Sequence, residues 1–175
     1  MSKRQACAAA RICKDPVRRA SHDLSDADVG IWQGRAVARR FVSPDGLVIL
    51  AGRTAADNDI LTFKLASPSD FWFHVAGASG AHVVVRNPEV LQRLPGNTLR
   101  LAASLAAGYS KARRGGRMVV HATRCGDVRK PRGAPAGQVH LKRFTIVRAL
   151  PCRAAPPHHP GFAPAIDPSA QTFGR

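Results

Sequence analysis

The stretch "RAVARRFVSPDGLVILAG", residues 35–52, constrains the fold more than any other. Two apolar-rich runs flank Ser43-Pro44-Asp45-Gly46, with proline at the second turn position and glycine at the fourth. That is type I turn chemistry, so the two runs are expected to pair as a hairpin. A two-stranded hairpin is marginal in water and needs further strands or a helix against it. The strands are supplied by "FWFHV" (71–75), "AHVVVR" (81–86), "RMVVHATR" (117–124) and "QVHLKRFTIVRAL" (138–150). The last of these reads as one or two strands, and the flexible "AGASG" links the first two.

Two stretches have helical spacing. In "AADNDILTFKLA" the residues Ile60, Leu61, Lys64 and Leu65 recur at helical intervals. Asp57 or Asn58 can cap a short helix there that ends near Ser67-Pro68. Thr98 can cap a longer one running to about Arg113 and stopped by Gly115-Gly116. Its stripe is Leu101, Leu105, Gly108, Tyr109 and Ala112. The expected fold class is α+β: a mainly antiparallel sheet packed with one long and one short helix, in a single domain with disordered termini. Residues 1–34 lack periodicity and read as a flexible basic arm; residues 35–150 form the domain. Residues 151–175, with six prolines in 25 positions, read as a disordered tail.

Charge narrows the function. The 175 residues carry 27 Lys+Arg against 11 Asp+Glu, a formal net charge of +16. Nucleic acid is the first candidate partner and an anionic membrane surface the second. No apolar run approaches the ~20 residues that span a bilayer, and no secretory leader is visible, so a cytoplasmic protein is expected. Cys7, Cys13, Cys125 and Cys152 form no CxxC pair and read as reduced thiols. His158 and His159 read as a disordered pair. No cofactor and no metal site is expected.

Successive strand side chains point to opposite faces. Phe71, Phe73 and Val75 therefore share one face, and Trp72 and His74 the other. If "FWFHV" pairs with "AHVVVR", one surface can present Trp72, His74, His82 and Arg86, rings beside cations that suit stacking on bases and pairing with phosphates. The bland alternative packs Trp72 and one histidine under a helix, and for Trp72 alone it is preferred. His82 and Arg86 are expected to be exposed. Parity does not say which face is the core.

From Lys111 to Arg148 there are eleven Lys/Arg and one acid, Asp127. Lys111, Arg113 and Arg114 cluster at the expected end of the long helix. Arg129, Lys130 and Arg132 sit in "VRKPRGAPAG", whose glycines allow close approach to a phosphate. With so few acids to balance them, polyanion binding is favoured over a merely solvated surface. For catalysis, Asp70, His74 and His82 could be drawn as an acid–base set, and Asp57 and Asp59 as a metal pair with His74. No nucleophile elbow or zinc signature accompanies them, so catalysis is the weaker reading.

The motifs from "FVSPDGLVILAGR" to "VRKPRGA" resemble the NFACT-R domain, the RNA-binding module of the NFACT proteins of ribosome-associated quality control. That family's pattern runs "SxDG…I..GR…ND.LT.K.A…D.WFH", then "PGSHV", an "AA.LAA.YSKAR" helix and a "V.KP.GA..G.V" loop. The matches here include Asp45-Gly46, Gly52-Arg53, Asn58-Asp59, Leu61-Thr62, Lys64, Asp70, Trp72-Phe73-His74, His82-Val83, Tyr109-Ser110-Lys111, Lys130-Pro131 and Gly133-Ala134. The likeness covers about 40–150. It departs at Ala81, where the family usually carries a hydroxyl, and at Arg100-Leu101, where a glutamate is common.

The resemblance implies binding to structured RNA, tRNA or ribosomal RNA, with the ribosome as a possible partner. The residues it and the charge pattern nominate are Arg53, Lys64, Trp72, His74, His82, Arg86, Lys111, Arg113, Arg114, Arg129, Lys130 and Arg132. Full NFACT proteins also carry a glycosylase-like domain and a coiled-coil arm, which have no counterpart in these residues, so tailing of stalled nascent chains is not carried over. A role in RNA modification is a weaker implication. An RNA-acting enzyme using Asp70, His74 and His82, and a protein-interaction adaptor, are the competing readings.

Overall fold

A computed structural model of the chain describes residues 25–153. The chain runs α1 (Asp26–Val29), β1 (Ile31–Trp32), β2 (Arg35–Ala36), β3 (Ala38–Val42), β4 (Val48–Gly52) and α2 (Ala55–Ile60). A π-helical turn, Leu61–Leu65, continues α2. Then come β5 (Phe71–Val75), β6 (Val83–Val85), α3 (Gly96–Gly108), β7 (Met118–Arg124), β8 (Val128–Arg129), β9 (His140–Leu141) and β10 (Thr145–Ala149). Six strands make one antiparallel sheet in the order β10-β7-β5-β6-β4-β3; β1–β2 and β8–β9 are separate two-stranded ribbons. The expected α+β class is therefore the observed one.

The hairpin closes as its turn chemistry requires. The Gly46 N–H donates to the Ser43 carbonyl and the Ser43 N–H to the Leu47 carbonyl, each at 2.9 Å. Asp45, at the tip, reaches across to α3 and accepts from the Thr98 N–H at 3.0 Å and its hydroxyl at 2.7 Å. A carboxylate from another element thus does the work of an N-cap. Thr98, expected to be that cap, lies inside the first turn because the helix starts at Gly96, after Pro95.

Alternation along the strands feeds two cores. On one face Ile49, Ala51, Phe73, Val83, Val85, Val120 and Ala122 pack under Leu101, Ala102, Leu105 and Ala106 of α3. On the other, Leu50, Trp72 and Val84 meet Val37, Leu61, Leu65, Cys125 and Val128. The face that parity leaves open is settled in this way: over the central strands both faces are covered. Toward the β7–β10 edge the second face is not, and Val119, Ile146 and Phe144 stay exposed.

Several boundaries differ from the sequence reading. Helix α3 ends at Gly108, not near Arg113. There the chain turns to bridge Gly80 with Ser110, and the Lys111 N–H donates to the Ser79 carbonyl at 2.8 Å. The "AGASG" link is thereby tied to the end of α3. Thr54 caps α2 by accepting from the Asp57 N–H at 3.1 Å, whereas Asp57 and Asn58 lie buried inside the helix. Residues 25–34, read as part of the arm, hold α1 and β1. Trp32 packs against the second core, and an added Cβ on Gly30 would stand 2.8 Å from that of Ala38. At the other end the Cys152 N–H bonds to Ser104 at 2.9 Å. Cys7, Cys13, His158 and His159 lie outside the described residues.

Candidate nucleic-acid interface

The site builds outward from α2 and the π-helical turn. The Ala66 N–H reaches back five residues to Leu61 at 2.9 Å, the signature of a π turn, a feature frequent at functional sites. Thr62 is buried here while Phe63 and Lys64 stay exposed. The Thr62 oxygen accepts from the indole N–H of Trp72 at 3.3 Å and lies 2.9 Å from Nδ1 of His82. Nε2 of His82 lies 3.1 Å from the Gly137 carbonyl. A carbonyl only accepts, so Nε2 carries the proton, and the neutral ring accepts from Thr62 at Nδ1. Burial, with His74 nearby, holds the His82 pKa down at about 4, which keeps that tautomer at neutral pH.

Asn58 and Asp59 complete the frame. Asn58 donates to the Gly80 carbonyl at 3.0 Å and accepts from the His82 N–H at 2.9 Å. A Cβ on Gly52 would come within 2.1 Å of the Asn58 oxygen, so glycine is required there. Asp59 accepts from the Gly137 N–H at 3.1 Å and from Lys130 at 3.0 Å. Lys130 also donates to the Pro135 carbonyl. Gly137, at φ +78°, thus offers its N–H to Asp59 and its carbonyl to His82. The 130–137 loop is clamped onto α2 at both ends, and Arg129 and Arg132 beside it are exposed.

The nominated residues separate into three sets. Arg53, Lys64, Lys111, Arg113, Arg114, Arg129 and Arg132 are exposed, and none forms a salt bridge among the described residues, although Arg53 lies near enough to Asp57 to help hold its carboxyl down. Trp72, His82, Arg86 and Lys130 serve the frame instead. Trp72 is 1% exposed and His82 is fully buried, so neither can stack on a base from outside. The expectation of an exposed His82 fails because α2 and the 130–137 loop cover that part of the strand face. Arg86, also expected to be exposed, is held by Asp28 at 3.1 Å, Asp70 at 2.6 Å and the Leu65 carbonyl at 3.0 Å. His74 makes the third set: half-buried, it stacks on Trp72 with centroids 5.8 Å apart and borders an open groove. Its pKa is also lowered to about 4, by burial and then by His121.

The acid–base set does not assemble. Asp70 accepts from Arg86, the Asn87 N–H and the Ser67 N–H, and its hydrogen bonds reach neither histidine. Asp57 pairs with Arg35 at 2.7 Å and Asp59 with Lys130, which removes the pair drawn for a metal. Sequence reasoning passed over Asn58, Asp59 and Thr62 as the frame. It also missed Arg124, which lies 3.7 Å over the Phe71 ring and donates to the Ser69, Leu91 and Gln92 carbonyls. The motif "ND.LT" was visible, but nothing local says that its polar groups turn inward.

Residues 38–143 match the model of the NFACT protein RNA binding domain. The chain belongs to the NFACT-R family. It is similar to the "Rqc2 homolog RqcH" of Bacillus subtilis, 36% identical over 103 residues, covering 59% of this chain and 17% of that protein. The protein of the same name from Streptococcus suis is 33% identical over 119 residues, covering 67% and 21%. The "Ribosome quality control complex subunit 2" of Schizosaccharomyces pombe is 28% identical over 114 residues, covering 60% and 11%. The chain thus spans about a fifth or less of these relatives. Among solved structures, the C-terminal part of the fibronectin/fibrinogen-binding protein from Streptococcus suis superposes with a TM-score of 0.62 at 32% identity, covering 67% of this chain and 47% of that one.

NFACT-R motif residues therefore divide by position. Asp45, Gly52, Asn58, Asp59, Thr62, Asp70, Trp72 and His82 build the frame, and Arg53, Lys64 and Lys111 face solvent. Ala81, where the family usually has a hydroxyl, is buried in the α3 core. A hydroxyl at this position would meet the helix rather than a phosphate. Among the described residues no helix is long and apolar enough to cross a membrane.

Proposed function

We propose that this chain is an RNA-binding module that contacts structured RNA, tRNA or ribosomal RNA, in the cytoplasm and in association with the ribosome. The observation that carries the reading is the set of seven exposed cations that form no salt bridge among the described residues, arranged around the hydrogen-bonded frame. Two of them are Arg129, which precedes the loop clamped by Asp59 and His82, and Arg132, which lies within it. Three more, Lys111, Arg113 and Arg114, follow the bridge between Gly80 and Ser110, and Gly80 is held by Asn58. Backbone held in place before binding spares the entropy of ordering these segments when their cations meet phosphates. Family membership and relatives named for ribosome quality control support the same reading.

The test is the salt dependence of binding to tRNA and to a ribosomal RNA fragment. The log–log slope is expected at about −0.7 to −0.9 per phosphate contact. Arg129→Ala with Arg132→Ala should flatten it by about one to two units. A slope near zero rejects the reading.

A further inference from the structure

On the uncovered part of the second sheet face lies an open groove of about 390 Å³, lined by Trp72, His74, His121, Val139, His140, Leu141 and Phe144. Its floor is the Trp72–His74 stack, tilted by 29°. Its wall is the His121–Phe144 pair, whose centroids are 4.2 Å apart. His74 and His121 are paired neighbours on β5 and β7 and project side by side from this face, and Phe144 leads into β10. The volume lies within the range typical of small-molecule sites, ~300–1,000 Å³.

Of the lining rings, His74, His121 and Phe144 are spared by the frame. The Trp72 N–H is used by Thr62, but its ring forms part of the groove. The His74 ring is uncharged at neutral pH, so it offers a π face without the cost of desolvating a cation. Phe144 packs one side of its ring on His121 and still leaves 48% of its surface exposed. No carboxylate lines the groove; Lys142 and Arg143 lie between the lining residues Leu141 and Phe144 in sequence, and Arg148 follows on the same face of β10 as Ile146. Arg143 is paired with Asp127, while Lys142 and Arg148 have no carboxylate partner among the described residues.

We propose that this groove is a stacking site for an unpaired nucleobase, which lies over the rings of Phe144, His121 and His74, while Lys142 and Arg148 take the flanking phosphates. The proposal rests on the RNA-binding reading and adds to it: the cations around α2 grip a backbone, and the groove grips a base. Rings beside unpaired cations, with no acid in the lining, are what single-stranded nucleic acid requires. An apolar protein segment would gain nothing from that charge.

The experiment uses the full chain and a short single-stranded RNA, compared with the same strand carrying abasic sites. Phe144→Ala should weaken binding to the intact strand by about 5- to 100-fold, the range for loss of one stacking partner. It should leave the abasic strand and the salt slope unchanged, and Phe144→Tyr should restore affinity. Melting curves identify a variant that has merely lost its fold. Equal affinity of wild type and Phe144→Ala for the intact strand overturns the groove, while a steep salt slope in the same data leaves the phosphate reading standing. Binding to neither strand rejects the groove, while a steep salt slope with tRNA or the ribosomal RNA fragment still sustains the phosphate reading.

Discussion

His82 carries two of the frame's hydrogen bonds on one neutral ring, with no solvent to replace either. His82→Ala removes a buried ring and leaves Thr62 and the Gly137 carbonyl without their partner. The expected loss is about 2–4 kcal/mol, combining a cavity with unsatisfied polar groups. It should be read as a lower urea midpoint, with RNA affinity falling only as far as the 130–137 loop loosens. An unchanged midpoint with weakened binding would return His82 to the surface role the sequence suggested. The same burial makes stability depend on pH. His74 and His82 have pKa values near 4 when folded, against an ordinary 6.5. Between those values the unfolded chain binds more protons than the folded one, so stability falls as pH is lowered from 6.5 toward 4. Asp28 and Asp57 are held below the ordinary carboxylate value: burial pushes each up, but Ser25 and Arg86, and Arg35 and Thr54, more than offset it. Their contribution is lost only at lower pH, so a decline in the urea midpoint between pH 6.5 and 5 reports the histidines. A flat profile there would mean that neither ring is held below its ordinary pKa in the folded chain.

Among the elements, those held by local patterning were legible and those held by distant partners were not. Turn residues and alternation gave the hairpin, β5 and β7, and left the last stretch as one or two strands, which are β9 and β10, because each signal lies within a few residues. The shared face of Trp72, His74 and His82 also followed from alternation. Its burial did not, because the covering loop comes from residues 130–137, more than fifty positions away. The end of α3 was misjudged for a similar reason: the Gly80–Ser110 bridge competes with helix propensity after Gly108. Asp57 and Asn58 look like caps locally, and it takes Gly80, His82 and Arg35 to show otherwise. The clamp between α2 and the loop can be tested directly. Asp59→Ala frees Lys130 and the Gly137 N–H at a partly exposed position, so the cost in global stability should be about 1 kcal/mol. Amide exchange at Gly137 should accelerate, and RNA affinity should fall because Arg129 and Arg132 lose their fixed positions. Unchanged exchange at Gly137 would show that Asp59 does not hold the loop.

At the scale of the molecule, the question is where the folding unit starts and stops. Composition alone places it at 35–150, but contacts cross both limits. Asp28 shares Arg86 with Asp70, and Trp32 covers part of the second core. Beyond residue 150, Cys152 bonds to Ser104, and the Tyr109 hydroxyl donates to the Arg153 carbonyl at 2.6 Å. Cutting at 35 leaves Arg86 with one acid and uncovers apolar surface near Trp72, an expected cost of about 2–4 kcal/mol from lost burial and a weakened ion pair. A fragment of residues 25–153 should therefore melt with the full chain, and one of residues 35–150 should melt well below it. RNA binding separates the charge of the leading segment from its packing. Residues 1–24 carry Lys3, Arg4, Arg11, Lys14, Arg18 and Arg19 against Asp15 and Asp23. Removing them should lower affinity and flatten the salt slope while stability holds, because diffuse charge acts through phosphates rather than through the core. Equal melting of the 35–150 and 25–153 fragments would show that α1 and β1 contribute little to the fold.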